Sequence, residues 1–461
     1  MTRNTGRAVA LGLLLAAGRL SGQDLTASAE APVAQVDAAL PVLEAPAPGD
    51  RQAPAAEYSQ QPATDENREA APAAKPKKPW YEWENKLFTT SFTFLPIWDI
   101  AGFVQDDVNV RQVGDIPTKG KWRAERLMFF GSLKFAHPWS YFIGVNYNSI
   151  EDPRPNRWTF LDLRLDIPVG KLGWLRIGKQ KVGVSQEWIM PGNDWVFMER
   201  STMNNSFVPQ RNVGLMLTNT FAKERGMWSA GWFNDWFTTN NTFSGNGNNY
   251  SARVSFLPVD ADKGATVVQV ATAVYYQEAT NGKLRFKGRP EVNESPYFVD
   301  TGSFKANHST TIQFETMTIK GPLQLFGELE LTPVSAPQVG DPFFWGGYVG
   351  ASYFLTGEHR SFNRRNGTYN GAVKPETPFT LRHGGLGAWE VAGRYSYTDL
   401  TDAAVKGGRE SRETGSLAWY PQPRWRFEFN YGYVTLETPP GTRGYASAFS
   451  ARIQWQIGAQ L

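Results

Sequence analysis

From Trp80 onward, hydrophobic and polar positions alternate. Thr159, Leu161, Leu163, Leu165 and Ile167 share one face of an extended segment, against Phe160, Asp162, Arg164 and Asp166. Leu323, Leu325, Leu329 and Leu331 oppose Gln324, Glu328 and Glu330. Trp389, Val391, Tyr395 and Tyr397 oppose Glu390, Arg394, Ser396 and Thr398. Trp425, Phe427, Phe429, Tyr431 and Tyr433 oppose Arg424, Arg426, Glu428 and Asn430; Phe449, Ala451, Ile453, Trp455 and Ile457 oppose Ser450, Arg452, Gln454 and Gln456. Successive strand side chains point to opposite sides, so each segment has one mainly apolar and one mainly polar face. The segments run about nine to eleven residues, the length of a tilted membrane strand.

A soluble sandwich alternates too. Two features favour a closed transmembrane barrel. Aromatic residues gather at strand ends, as in Trp419-Tyr420 and Trp80-Tyr81-Glu82-Trp83. The polar faces mix charges with Gln and Asn, as the wall of a water-filled lumen does. Closure also satisfies every strand edge, which a bilayer demands. At roughly 24 residues per strand with its connection, residues 80–461 predict an antiparallel barrel of about 16 strands, wide enough for an aqueous channel. Phe449–Ile457 is the predicted closing strand, with Phe449, Ile453 and Trp455 toward lipid.

The residues before Trp80 read differently. Arg3 and Arg7 precede an apolar run, Ala8 to Ala17, that is too short to span a bilayer, so residues 1–22 are expected to be an export signal. Residues 23–79 are rich in Ala, Pro and acidic side chains and end in Lys75, Lys77 and Lys78. Such a stretch cannot bury enough apolar surface to offset chain entropy, so a disordered linker is expected there. Residues 80–461 form the expected barrel domain.

Composition removes several chemistries. The chain has no Cys and only four His, at positions 137, 308, 359 and 383, none within metal-ligand spacing of another on one helix face. No metal and no cofactor is expected, and no nucleic-acid partner. Aromatic content is 14%, with 17 Trp and 17 Tyr, and mean hydropathy is −0.41. Enzyme readings are weak. Asn307-His308-Ser309 places His308 and Ser309 on opposite strand faces, where one cannot activate the other. Asp106-Asp107 and Glu328/Glu330 read as loop and lumen charges, and Ser244–Asn249 as a hairpin tip.

Three stretches resemble the phosphate-selective porin family, porins O and P: GGYVGASYFLTGEHRSFNRRNGTYN (346–370), GLGAWEVAGRYSYTDLTD (385–402) and AWYPQPRWRFEFNYGYV (418–434). RIGKQKVGVSQEW (176–188), VFMERS (196–201) and WFND (232–235) fit the same family. The resemblance implies a sixteen-stranded barrel, a homotrimer in the lipid of a Gram-negative outer membrane, that passes small anions such as phosphate and is no enzyme. The alternative is a barrel serving as anchor or adhesin, or, less well supported, a barrel hydrolase.

Net charge says little about selectivity. Residues 80–461 hold 39 basic and 35 acidic side chains, a net of +4. Placement says more. Lys283, Arg285, Lys287 and Arg289 alternate as a comb, with neighbouring charges roughly 7 Å apart along an extended chain. It reads equally as a ladder for anions or as a solvent-facing stretch of an extracellular loop. Ser185–Arg211 is long, irregular and polar, and its position in the family makes it the expected inward-folded loop. Arg200 and Arg211 are its candidate anion contacts, and Glu199 is expected to pair with the wall. Arg164, Arg253, Arg394, Arg426 and Arg452 are the candidate basic residues lining the wall, mixed with Glu315, Glu328, Glu390 and Glu428.

Overall fold

The computed structural model describes residues 78–461 apart from 137–138, 149–156, 193, 210, 235, 237–241, 371–372, 383 and 460–461. The expected export signal and nearly all of the expected linker lie outside the described residues, as do His137 and His383.

Sixteen antiparallel strands close on themselves: β1 (Thr89–Gln105), β2 (Lys119–Ser132), β3 (Ser140–Asn148), β4 (Arg157–Pro168), β5 (Trp174–Gln180), β6 (Asn212–Phe221), β7 (Gly226–Phe233), β8 (Asn249–Ala261), β9 (Thr266–Glu278), β10 (His308–Lys320), β11 (Leu323–Ser335), β12 (Phe343–Phe354), β13 (Ala388–Asp402), β14 (Val405–Tyr420), β15 (Trp425–Thr438) and β16 (Thr442–Trp455). Each pairs with the next, and β16 returns to β1 through the register Ile97↔Gln454 to Gln105↔Ala446. The closing strand therefore begins earlier than the predicted Phe449. Glu82–Glu84 and Ile457–Gly458 extend the seam by pairing with β1.

Both described termini and the turns 133–139, 169–173, 222–225, 262–265, 321–322 and 421–424 lie at one rim; connections 106–118, 181–211, 234–248 and 279–307 lie at the other. Short turns mark the periplasmic rim of such barrels and longer loops the extracellular rim. One long connection, 355–387, breaks this rule by leaving from the short-turn rim.

The alternation sorts as its physics requires. Phe429, Tyr431, Tyr433, Phe449 and Ile453 face outward, while Asn430, Arg426, Glu428, Ser450 and Arg452 are buried inside the barrel. Outward aromatics form two girdles. Trp425 stacks on Trp455 at 4.8 Å and Trp389 on Trp419 at 5.6 Å near the short-turn rim, and Trp345 meets Tyr397 at 4.9 Å near the other. β4 departs from the predicted pattern. A register irregularity between Gly144 and Val145 of its partner strand inserts an extra residue, so Leu161 is buried while Phe160 and Leu163 both face outward. Strict period-two reading across a bulge puts every residue beyond it on the wrong face.

Loops 181–211 and 279–307 pack an apolar cluster, including Met203, Phe207, Phe286, Phe298 and Val299, against the inner wall residues Phe344, Leu400, Val434 and Leu436. Among the described residues no helix is long and apolar enough to cross a membrane.

Candidate functional site: a lumen narrowed by three inward loops

The chain leaves the wall at Gln180, where β5 stops after seven residues. Gly178 makes the close approach there: its φ is +120°, and a Cβ would lie 2.2 Å from the Leu163 carbonyl oxygen. The loop that follows carries α1 (Gln186–Ile189) and α2 (Thr202–Phe207), whose first turns are capped by Ser185 Oγ, accepting from Trp188 N, and by Ser201 Oγ, accepting from Asn204 N. Ser185 adopts φ 59°, a strained value for a non-glycine residue, and its N–H donates to Gln313 Oε1 at 2.7 Å.

Four arginines hold the middle of this loop by its carbonyls. Arg360 Nη1 donates to Asp194 O at 2.9 Å, Arg426 Nη2 to Val196 O at 3.0 Å, Arg452 Nη1 to Met198 O at 2.7 Å and Arg394 Nη2 to Glu199 O at 3.0 Å. Each also meets a carboxylate: Arg360 with Glu390 at 2.6 Å, Arg426 with Glu428 at 2.6 Å, Arg452 with Asp99 at 2.7 Å and Arg394 with Glu291 at 2.6 Å. A guanidinium has five donors in a rigid fork, so it can neutralise a carboxylate and still satisfy a loop carbonyl. Glu199 pairs with Arg452 at 2.9 Å, as the sequence suggests. Glu187, on α1, accepts from Ser201 Oγ and from Arg394 Nη1, both at 2.7 Å. Burial nevertheless raises its carboxyl above the ordinary range, against the pull of Arg394 and Ser201.

Loop 279–307 is seated beside it. Glu291 accepts from Ser396 Oγ at 2.6 Å and Thr414 Oγ1 at 2.9 Å, and pairs with Arg394 and Arg412. Burial alone would raise the Glu291 carboxyl; the two guanidinium groups and the hydroxyls outweigh it and hold it below the ordinary range. Thr202 Oγ1 donates to Arg289 O at 2.9 Å, joining the two loops. The third loop, 355–387, is clamped by Arg253, which pairs with Glu315 at 2.7 Å and donates to Asn366 O at 3.0 Å and Gly367 O at 2.8 Å. Arg364 adds a pair with Asp260 at 2.7 Å.

The remaining sequence candidates fall in different places. Arg164 lies beside Asp166 at 3.0 Å and Arg211 beside Asp162 at 2.9 Å, both inside the barrel. Arg200 is buried between the rings of Trp188 and Trp195, 4.2 and 5.0 Å from their centroids. The comb alternates as predicted: Leu284 and Phe286 are buried, Lys283 is exposed, Arg285 pairs with Asp300 at 2.6 Å, and Lys287 and Arg289 each lie 4.3 Å from the Tyr297 ring. His308 rests on Tyr276 at 5.1 Å, while Ser309 is buried on the inward side.

Two adjoining cavities form a lane along β4 to β8, bordered by loops 181–211 and 355–387. Its inner part is lined by Arg164, Arg176, Lys181 and Arg253, and its mouth at the short-turn rim by Asp166, Arg176, Glu224 and Arg365. Arg176, Lys181, Arg360, Arg365 and Glu291 were not singled out by sequence. Arg176 alternates with Leu175 and Ile177 and could have been found; the others sit in irregular segments, where no periodicity assigns a side.

Residues 100–457 match the family described as phosphate-selective porin O and P. The chain belongs to that family. It is a porin of the Gram-negative outer membrane. An uncharacterised protein of Caulobacter vibrioides is 27% identical over 252 residues, 52% of this chain and 49% of its own, so this porin spans about half the length of that curated relative. Among solved structures, the barrel resembles an anion-selective porin from Comamonas acidovorans at 13% identity, covering 80% of this chain and 100% of that one with a TM-score of 0.50. It resembles equally a loop L8 deletion mutant of OmpT from Vibrio cholerae, at 10% identity, 80% and 100% coverage and a TM-score of 0.50. The outer-membrane channel DcaP of Acinetobacter baumannii gives 8% identity, 81% and 99% coverage and a TM-score of 0.50. At these identities the likeness is one of fold.

Proposed function

We propose that this porin prefers anions, phosphate-like oxyanions among them, and that they pass along the lane between the inward loops. The observation that carries this reading is the charge of the lane: five cations, Arg164, Arg176, Lys181, Arg253 and Arg365, against three carboxylates, Asp166, Glu224 and the Glu315 that pairs with Arg253. Fixed charges in a narrow, partly dewatered passage act at lower dielectric than in bulk water, so a local excess of cations selects more strongly than the whole-barrel net charge. Arg200 and Arg211 both lie over the Trp188 ring and are taken to add to the positive field of the lane, and the comb Lys283, Arg285, Lys287 and Arg289 supplies positive charge in the extracellular loop. Arg394, Arg426 and Arg452 act mainly by seating the constriction loop. The test is planar-bilayer conductance of the purified protein in a salt gradient. An anion-sided reversal potential is expected; a cation-sided one overturns the reading.

The same reading includes a homotrimer. β5 ends at Gln180 while β4 continues past its last partner, Leu163, to Arg157, so the wall is low on the extracellular side of β5. Backbone facing lipid there needs cover, and a neighbouring copy supplies it. Native mass measurement in detergent decides between one copy and three. Residues 1–22 are proposed as a cleaved export signal and 23–79 as a periplasmic spacer; N-terminal sequencing of the mature protein, expected to start near residue 23, tests this.

A further inference from the structure

Barrel lumens are polar, and most inward positions here follow that rule. The lane departs from it. Trp174, the first residue of β5, faces inward beside Arg176 at the short-turn mouth, unlike the girdle tryptophans. Deeper in, Ile189 of α1, Met216 of β6 and Met227 of β7 line the same space as Lys181 and Arg176. The two parts adjoin, with Arg176 and Thr218 bordering both.

Met216, with Ile189 packed against it, belongs to a second cluster with Val182, Val184, Trp188, Val208 and Phe233, and both side chains, like Met227, also border the cavity. They form an apolar strip beside a line of cations. Inorganic phosphate is hydrated on every side and gains nothing from such a strip. An anion with an apolar body does: its charged end meets guanidinium or ammonium while its hydrocarbon or ring leaves water against thioether and indole. Methionine is polarizable and unbranched, so it suits bodies of different shape.

We infer that the channel favours small organic anions with an apolar body, such as aromatic or short-chain carboxylates, over hydrophilic anions of similar size. The inference rests on the anion reading above and refines its substrate class. Recognition is by a one-sided surface. The cations fix the end of the molecule that carries charge, and Trp174, Ile189, Met216 and Met227 fix the side that faces the wall.

The test uses the full barrel in planar bilayers under bi-ionic conditions, with chloride on one side and benzoate, butyrate, glycerate or phosphate on the other. Benzoate and butyrate are expected to be more permeant than glycerate, which has nearly the size of butyrate without its apolar tail. Met216→Gln combined with Met227→Gln keeps side-chain length and is expected to lower the butyrate-to-glycerate permeability ratio roughly three- to tenfold. Wild-type protein alone decides if that variant fails to assemble. An anion-selective channel in which glycerate equals or exceeds butyrate overturns the inference and leaves the anion reading standing. A cation-selective channel overturns the anion reading itself.

Discussion

Glu291 shows how much one side chain decides. It is buried among two arginines and two hydroxyls and fastens loop 279–307 to β13 and β14. Glu291→Gln leaves Arg394 and Arg412 short of a buried counter-charge, a loss of about 3–5 kcal/mol for a broken buried pair. Its carboxyl is held below the ordinary range, so its contribution is present above the unfolded value and disappears as pH falls through the depressed one. The stability difference between wild type and Glu291→Gln, measured by thermal unfolding of detergent-solubilised barrel, is therefore expected to hold at neutral pH and to shrink as pH falls below the ordinary glutamate value of about 4.3. Glu187 has the opposite sign. Its carboxyl is raised, so its stabilising contribution is present below the unfolded value and lost as pH rises through the raised one. Glu187→Gln is thus expected to be tolerated far better than Glu291→Gln at pH 7, and equal destabilisation by the two would contradict this assignment.

At the scale of elements, β16 and the constriction loop make separate claims. Trp455 lies at the end of β16, stacked on Trp425, whereas Phe449 is near the strand's middle and faces outward. Depth sets the cost of a charge facing lipid. Phe449→Arg is expected to cost about 2–4 kcal/mol, and Trp455→Arg about 0–1 kcal/mol for the charge, plus about 0.5–1.5 kcal/mol of lost ring contact. Folding yield into vesicles, read from heat-dependent gel mobility, should fall further for Phe449→Arg, and the reverse order would move the membrane midplane. The constriction loop depends on its arginine clamps. Arg426→Met with Glu428→Leu removes both members of a buried pair and so avoids stranding a charge, while freeing the Val196 carbonyl. Single-channel conductance is expected to rise and its noise to increase; unchanged conductance would mean that the other three clamps suffice.

For the whole molecule, the proposed selectivity rests on the lane between the loops. Arg176→Gln with Lys181→Gln is expected to shift the reversal potential toward cations, most at low salt, where screening is weakest. Neutralising Lys283, Arg285, Lys287 and Arg289 should shift it less, because Arg285 is already paired with Asp300 and the comb belongs to an extracellular loop. A larger shift from the comb than from the lane would put the selective region at the extracellular mouth. Much of this architecture is legible in the chain. Alternation identified most strand faces, aromatic ends marked the girdles, and chain length fixed sixteen strands, because a period of two and a bilayer's thickness act locally on consecutive residues. Long irregular composition also marked 185–211 as a loop. What sequence could not assign is where side chains meet across the lumen. Arg360 and Arg426 are far apart in the chain, yet they hold neighbouring carbonyls of one loop. Lys181 looks like any loop charge until loop 355–387 enters from the periplasmic rim and Asn366 comes to border the same cavity. The bulge in β4 was hidden for the same reason: register belongs to a pair of strands, and only closure of the barrel determines which pairs form.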